Sequence, residues 1–308
     1  MADIKVLICD PIDDIGIKML REAGFQVDLK TEIVATDLIK VAGDYDALVI
    51  RSRTKITKEA MNAGKPRLKI IARSGVGLDN VDVEEAKKLG VQVVNSAEAP
   101  SNAVAELVLG YMLSLSRNIS LGDASMKRGE WIKNKLTGFE INEKTIGIVG
   151  FGRIGFLLGK KTKALGMRVL CYDVMIEKLM NFVNDVGAES VPLDRLLAES
   201  DFITIHVPLL PRTQHMFNAA TLSKMRKGSY LINAARGGII DEKALFEALK
   251  SGHLAGAALD VYEEEPTGNT ELVKMENVIC TPHIGAESKE AQLGNSTIVA
   301  EKLIKALG

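Results

Sequence analysis

The run Gly150-Phe151-Gly152-Arg153-Ile154-Gly155 constrains the fold of this chain more than any other stretch. It follows the strand-type residues Ile146-Gly147-Ile148-Val149 and precedes apolar positions 154, 157, 158 and 165, which share one helical face. A second strand-type run, Arg168-Val169-Leu170-Cys171-Tyr172, ends on Asp173, roughly 20 residues past the first glycine. Strand, glycine turn, helix, strand and acid form a dinucleotide fingerprint. Gly150 turns the chain, Gly152 admits a pyrophosphate to the backbone amides, and Gly155 brings helix against strand. The helix N-terminus, opened by Arg153 and Ile154, favours the anion. Asp173 accepts from ribose hydroxyls and repels a 2′-phosphate, so the predicted cofactor is NAD rather than NADP.

Such a fingerprint usually opens its domain, and here it starts near the middle of the chain, so a folded unit should precede it. Residues Ile4–Cys9, Phe25–Leu29, Ala47–Ile50, Leu68–Ala72 and Val91–Val94 read as strands separated by helical patterns. That alternation implies a parallel sheet covered on both faces. Asp10-Pro11-Ile12 occupies the corner after the first strand, so this unit is doubly wound without being a dinucleotide site itself. The expected architecture is two doubly wound parallel-sheet α/β domains, a Rossmann NAD-binding domain and a flavodoxin-like substrate domain, with a cleft between them. The expected boundaries are 1–98 with 286–308 for the substrate domain and 99–285 for the NAD-binding domain.

Ligand-facing residues of parallel sheets gather at the C-terminal ends of the strands. There the third strand runs into Arg51-Ser52-Arg53-Thr54-Lys55 and the fourth into Arg73-Ser74-Gly75-Val76-Gly77. Surface arginine is the plainer reading of either residue alone; two beside a glycine loop suit an anion through paired hydrogen bonds. The amides of Gly75, Val76 and Gly77 offer a small nest for a carboxylate. Asn102, at the start of the next helix, either contacts ligand or caps the helix. Residues 120 to 142 read as an irregular arm whose lone Trp131 is either a subunit anchor or a core aromatic.

Charge excludes some partners. A net charge of −1 gives nucleic acid or an anionic membrane little to hold. Cys9, Cys171 and Cys280 are widely spaced and odd in number, which fits reduced thiols rather than a disulfide framework or a zinc site. With neither a signal-type N-terminus nor an apolar run of spanning length, the expected location is the cytoplasm, and no metal is expected.

Beyond Asp173 the strand ends carry ionisable residues: Arg236 after Asn233-Ala234-Ala235, Glu265 after Asp260-Val261-Tyr262-Glu263-Glu264, and His283 after Thr281-Pro282. Hydride transfer from a hydroxy acid needs a base, a cation for carboxylate and oxyanion, and a partner for the protonated base. One of each is present. Taken singly, Glu265 also reads as part of a solvated acidic turn, His283 as a strand cap, and His206 as a rival base at another strand end.

Gly150–Gly155, Asn233–Gly238, Asp260–Pro266 and Pro282–Ala286 together resemble the NAD-dependent D-2-hydroxyacid dehydrogenase family, in family order and over nearly the whole chain. The resemblance implies Arg236, Glu265 and His283 as the catalytic trio. It also implies cofactor contacts from Arg153, Ile154, Asp173, His206, Pro208, Thr213, Ala234, Arg236 and Asp260, and a homodimer or higher homo-oligomer formed through the NAD domain. Within the family, Arg51–Thr57, Arg73–Asp82 and Lys289–Gln292 are most similar to members whose small-molecule substrate is a phosphorylated 2-hydroxy acid. Arg51 and Arg73 are the implied phosphate ligands, with Ser52, Ser74, Gly75, Val76 and Asn102 nearby. Arg53 points to the opposite face. Glyoxylate or hydroxypyruvate reduction and an NAD(H)-sensing corepressor are the other functions the family admits. Glu287-Ser288 stands where the family more often has Ser-Thr, and the chain end at Gly308 leads us to expect no C-terminal regulatory domain.

Overall fold

The computed structural model describes residues 3–308. The chain divides into two compact units, one running to Ala103 and resuming at Ala286–Gly308, the other Val104–Gly285. The first division falls inside the opening turn of the helix Ser101–Arg117.

Among the described residues, the first unit holds five strands: β1 (Lys5–Ile8), β2 (Gln26–Leu29), β3 (Ala47–Ile50), β4 (Ile70–Arg73) and β5 (Gln92–Asn95). All neighbours pair in parallel in the order β2-β1-β3-β4-β5, the flavodoxin-like order. Every residue of β3 is buried, as a central parallel strand covered on both faces requires. The C-terminal helix Lys289–Leu307 returns to this unit: Val299, Ala300 and Leu303 join Val6, Ile8, Ile17 and Leu20 in one core. Helix Asp14–Glu22 meets it closely enough that a Cβ on Gly16 would lie 2.7 Å from the Ser296 carbonyl oxygen.

The second unit has β6 (Thr145–Val149), β7 (Arg168–Tyr172), β8 (Glu189–Ser190), β9 (Phe202–Ile205), β10 (Tyr230–Asn233), β11 (Gly256–Leu259) and β12 (Val278–Cys280). The parallel order is β12-β11-β10-β9-β6-β7-β8. Counted from β6 this is the Rossmann order extended by one strand, and it reverses between β6 and β9. One face of the sheet packs a core that includes Ile205, Phe217, Leu231 and Leu259; the other packs Ile146, Ile148, Phe151 and Phe202.

One expectation is corrected. The arm after Arg117 is helical over Ile119–Lys127, because Asn118 adopts a left-handed backbone (φ 53) that ends one helix and starts the next, and Gly122 lies inside a helix instead of breaking one. The edge strand β8 has two exposed residues, too short to leave a period in the sequence. No helix of the described residues is long and apolar enough to cross a membrane.

Candidate active site

The glycine loop leaves β6 with Gly150 at φ +95, and a Cβ there would sit 2.7 Å from the His206 carbonyl group. A Cβ on Gly155 would lie 2.5 Å from the Gly150 carbonyl oxygen, so helix Arg153–Ala164 rests directly on the turn. Around Gly152 a Cβ would meet nothing within 4 Å. The loop is therefore tight beneath and open above, the shape a pyrophosphate needs at a helix N-terminus. Asp173, at the end of β7, accepts from the Phe151 amide (2.9 Å) and the Met175 amide (2.8 Å), which ties its carboxylate to the rim of the same loop. A carboxylate retains further acceptor sites after two such bonds, so both features fit an NAD adenosine and pyrophosphate. Arg153 is exposed and Ile154 half-buried at the first turn.

Across the topological reversal, His206 follows β9. Its Nε2 lies 3.0 Å from the Thr204 hydroxyl, and its buried Nδ1 has no hydrogen-bond partner in the protein. Burial pushes its pKa down to about 3, which keeps the ring neutral. Pro208 is exposed. Thr213, one of the expected cofactor contacts, also closes its own loop: its hydroxyl donates to the Pro208 carbonyl (2.6 Å) and accepts from the Leu210 amide (2.8 Å).

The three loops after β10, β11 and β12 bear the ionisable residues. Asn233 organises the first by donating to the Arg236 carbonyl (2.8 Å) and accepting from the Ala235 amide (3.0 Å), with Ala234 buried beneath. Gly237 is required here, since a Cβ would run into the Tyr262 carbonyl oxygen of the neighbouring loop. Glu265 accepts from the Tyr262 amide (3.1 Å) through one oxygen and faces His283 Nδ1 at 2.7 Å through the other. A carboxylate only accepts, so Nδ1 carries the proton and Nε2 presents the lone pair. The expected imidazole–carboxylate pair is formed by residues 18 positions apart.

His283 has φ +54, a left-handed backbone that costs a non-glycine residue on the order of 1 kcal/mol. Asp260 holds it there. This fully buried residue takes the Ile284 amide (2.7 Å) and Thr281 hydroxyl (2.5 Å) on one oxygen and the Gly285 amide (2.8 Å) on the other, while its carbonyl accepts from His283 N (2.8 Å). Tyr111, on helix Ser101–Arg117, hydrogen-bonds Thr281 in turn. Burial, chiefly, raises the Tyr111 pKa and keeps the phenol protonated. Asp260, for which the family resemblance implies a cofactor contact, thus turns its carboxylate to the histidine loop in this structure. Asn233, Thr281 and Tyr111 were not anticipated; Asn233 and Thr281 left the signal of a polar residue closing an apolar strand, whereas Tyr111 sits among the apolar positions of a helix.

In the first unit, Asp10 anchors the arginine loop. It is buried, and it accepts from the Arg51 amide (2.6 Å), the Thr54 amide (3.2 Å) and the Thr54 hydroxyl (2.7 Å). Arg53 is spent on structure, pairing with Asp10 (3.0 Å) and donating to the carbonyls of Cys9 (2.7 Å) and Thr31 (2.6 Å). Arg51 meets Glu287 at 2.7 Å, and Ser52 is exposed beside it. Arg73 is half-buried, its guanidinium lying against Gly75 where a Cβ would run into it. The carboxylate nest is reduced: the Gly75 amide donates to Ser96 Oγ (2.7 Å), and Ser74 is buried with its amide on the Ile50 carbonyl (2.8 Å). Val76 remains exposed. Asn102 lies inside the first helical turn instead of capping it, and is exposed.

Residues 109–285 match the family model for the D-isomer specific 2-hydroxyacid dehydrogenase, NAD binding domain. The chain belongs to the D-isomer specific 2-hydroxyacid dehydrogenase family. It is 45% identical to the D-3-phosphoglycerate dehydrogenase of Methanocaldococcus jannaschii over 99% of its length and 57% of that relative's. This family member is also 42% identical to the hydroxypyruvate reductase of Thermotoga maritima, with 100% of both chains covered. The NAD-dependent formate dehydrogenase of Staphylococcus aureus, solved in complex with NAD, superimposes with a TM-score of 0.86 at 31% identity, covering 99% of this chain and 96% of that one. The chain spans about half the length of several of the phosphoglycerate dehydrogenases it matches. Its second unit matches the NAD-binding domain of this family, and NAD is its cofactor.

Proposed function

We propose that the protein oxidises 3-phospho-D-glycerate to 3-phosphohydroxypyruvate, the first step of the phosphorylated route to serine. The observation that carries the reading is the 2.7 Å pair between His283 Nδ1 and Glu265, which leaves Nε2 as a base. NAD supplies the hydride acceptor when bound. His283 Nε2 takes the C2 hydroxyl proton as the C2 hydrogen departs with its electron pair. Glu265 holds the ring's tautomer and stabilises the imidazolium that results. Arg236 orients the C1 carboxylate and the C2 oxygen. Gly150, Gly152, Gly155, Arg153 and Ile154 form the pyrophosphate turn, Asp173 takes the ribose hydroxyls, and His206, Pro208, Thr213, Ala234 and the Asp260 loop complete the cofactor site. Arg73 and Arg51 serve the phosphate, with Ser52, Val76, Gly75 and Asn102 around them.

A second reading, reduction of hydroxypyruvate, is favoured by the match along the full length of both chains to the Thermotoga maritima enzyme. It is favoured also by the acidic partner of Arg51. Steady-state assays on 3-phosphoglycerate, 3-phosphohydroxypyruvate, hydroxypyruvate and glyoxylate with both nicotinamide cofactors separate the two. A preference of tenfold or more in kcat/KM for the unphosphorylated acids would reject the first. We further propose a cytoplasmic homodimer or higher homo-oligomer that covers the helical arm. Trp131 is 79% exposed there, beside a groove of about 660 Å³ lined by Met126, Leu136 and Phe139. Sedimentation of the wild type against Trp131→Glu tests it, with a monomeric wild type as the contrary result.

A further inference from the structure

We propose that Glu287 is a positioning residue that sets substrate selectivity by competing with a substrate phosphate for Arg51; this rests on the reading of Arg51 as a phosphate ligand. Arg51 is fixed at its backbone from both sides, since its amide donates to Asp10 (2.6 Å) and its carbonyl accepts from Asn80 Nδ2 (2.7 Å). Its guanidinium reaches across to Glu287 Oε1 at 2.7 Å and makes a longer contact with the Pro11 carbonyl at 3.5 Å. Glu287 is also held from both sides. Its second oxygen accepts from Gln292 Nε2 (2.9 Å), and the same amide nitrogen donates to the Ala286 carbonyl (3.1 Å).

The pair is therefore built into the turn before helix Lys289–Leu307, with the Arg51 side chain 26% and the Glu287 side chain 49% exposed. A planar guanidinium gives its best two-point contact to one anion at a time. A phosphate dianion arriving at Arg51 meets a carboxylate already there, and must either share the fork with a like charge or displace it. An uncharged C3 hydroxyl pays neither cost. Glu287 thus lowers the advantage that a phosphorylated 2-hydroxy acid draws from Arg51, and Ser or Thr at this position would leave that advantage whole.

The test compares wild type, Glu287→Gln and Glu287→Ser by the ratio of kcat/KM for 3-phosphohydroxypyruvate to that for hydroxypyruvate. Both substitutions should raise the ratio about five- to tenfold, through KM and not kcat, the scale of one partly exposed like-charge contact. Calorimetric titration of 3-phosphoglycerate and of glycerate into the NADH-bound protein reads the same discrimination without turnover. An unchanged ratio, or an equal change for both ligands, overturns the proposal. The two readings fail separately. A wild type that ignores the phosphorylated substrate rejects phosphoglycerate oxidation, while a variant that gains it still supports the role of Glu287.

Discussion

Asp260→Asn separates a structural clamp from a cofactor contact. The wild-type carboxylate is fully buried and takes Thr281 Oγ1 and the Ile284 amide on one oxygen and the Gly285 amide on the other. Asparagine best keeps its oxygen toward the first two donors, which turns its amino group against the Gly285 N–H. One charge-assisted bond, worth about 1.5–3 kcal/mol, is lost, and a buried donor is left facing a donor at about 1–3 kcal/mol more. The expected loss is therefore about 3–5 kcal/mol, which in a unit of this size is a fall of roughly 6–20 °C in Tm. Turnover should fall about 100-fold, because the left-handed His283 is displaced from its working position. Urea denaturation monitored by fluorescence, steady-state kinetics and NADH titration together decide the matter. If the variant is as stable as wild type and loses only NADH affinity, Asp260 is a cofactor contact and the clamp is refuted.

Other expectations are equally direct. His283→Ala should lower kcat by about 10²–10⁴ with NADH affinity within twofold of wild type, and comparable turnover would remove His283 as the base. Arg73→Ala should raise KM for the phosphorylated substrate about tenfold or more with kcat little changed; identical kinetics would take the phosphate role from it. Replacing Asp173 with Ala should weaken NAD about tenfold and narrow the preference over NADP, so an unaltered preference places the discriminating charge elsewhere. His206 is neutral in the fold down to about pH 3, whereas the unfolded chain protonates it near the ordinary histidine value of 6.5. Its stabilisation is therefore complete above pH 6.5 and lost as pH falls from 6.5 toward 3. Between pH 7 and 5 wild type should lose about 2 kcal/mol more than His206→Asn, and equal losses would contradict the buried neutral ring.

Much of this was legible in the chain itself. Parallel strands buried on both faces read as continuous apolar runs, so β3 and β7 are observed over the residues the sequence indicated. The glycine turn was legible too, because only glycine tolerates φ +95 at residue 150 and the close approach at residue 155. The exposed β8 and the helix Ile119–Lys127 were not, since a two-residue strand has no period and Gly122 mimicked a breaker.

From the sequence alone followed the two wound sheets, the nucleotide turn and which residue types wait at the strand ends. Tertiary structure decided their partners. The sequence could not show that the Asp260 carboxylate orders the histidine loop, that the Thr213 hydroxyl closes its own turn or that the Gly75 amide is taken by Ser96. Folding joined Arg51 to Glu287 across 236 positions. The physical reason is directional: apolar burial depends on composition and period, which are local, whereas a hydrogen bond depends on which distant donor arrives within 3 Å at the right angle.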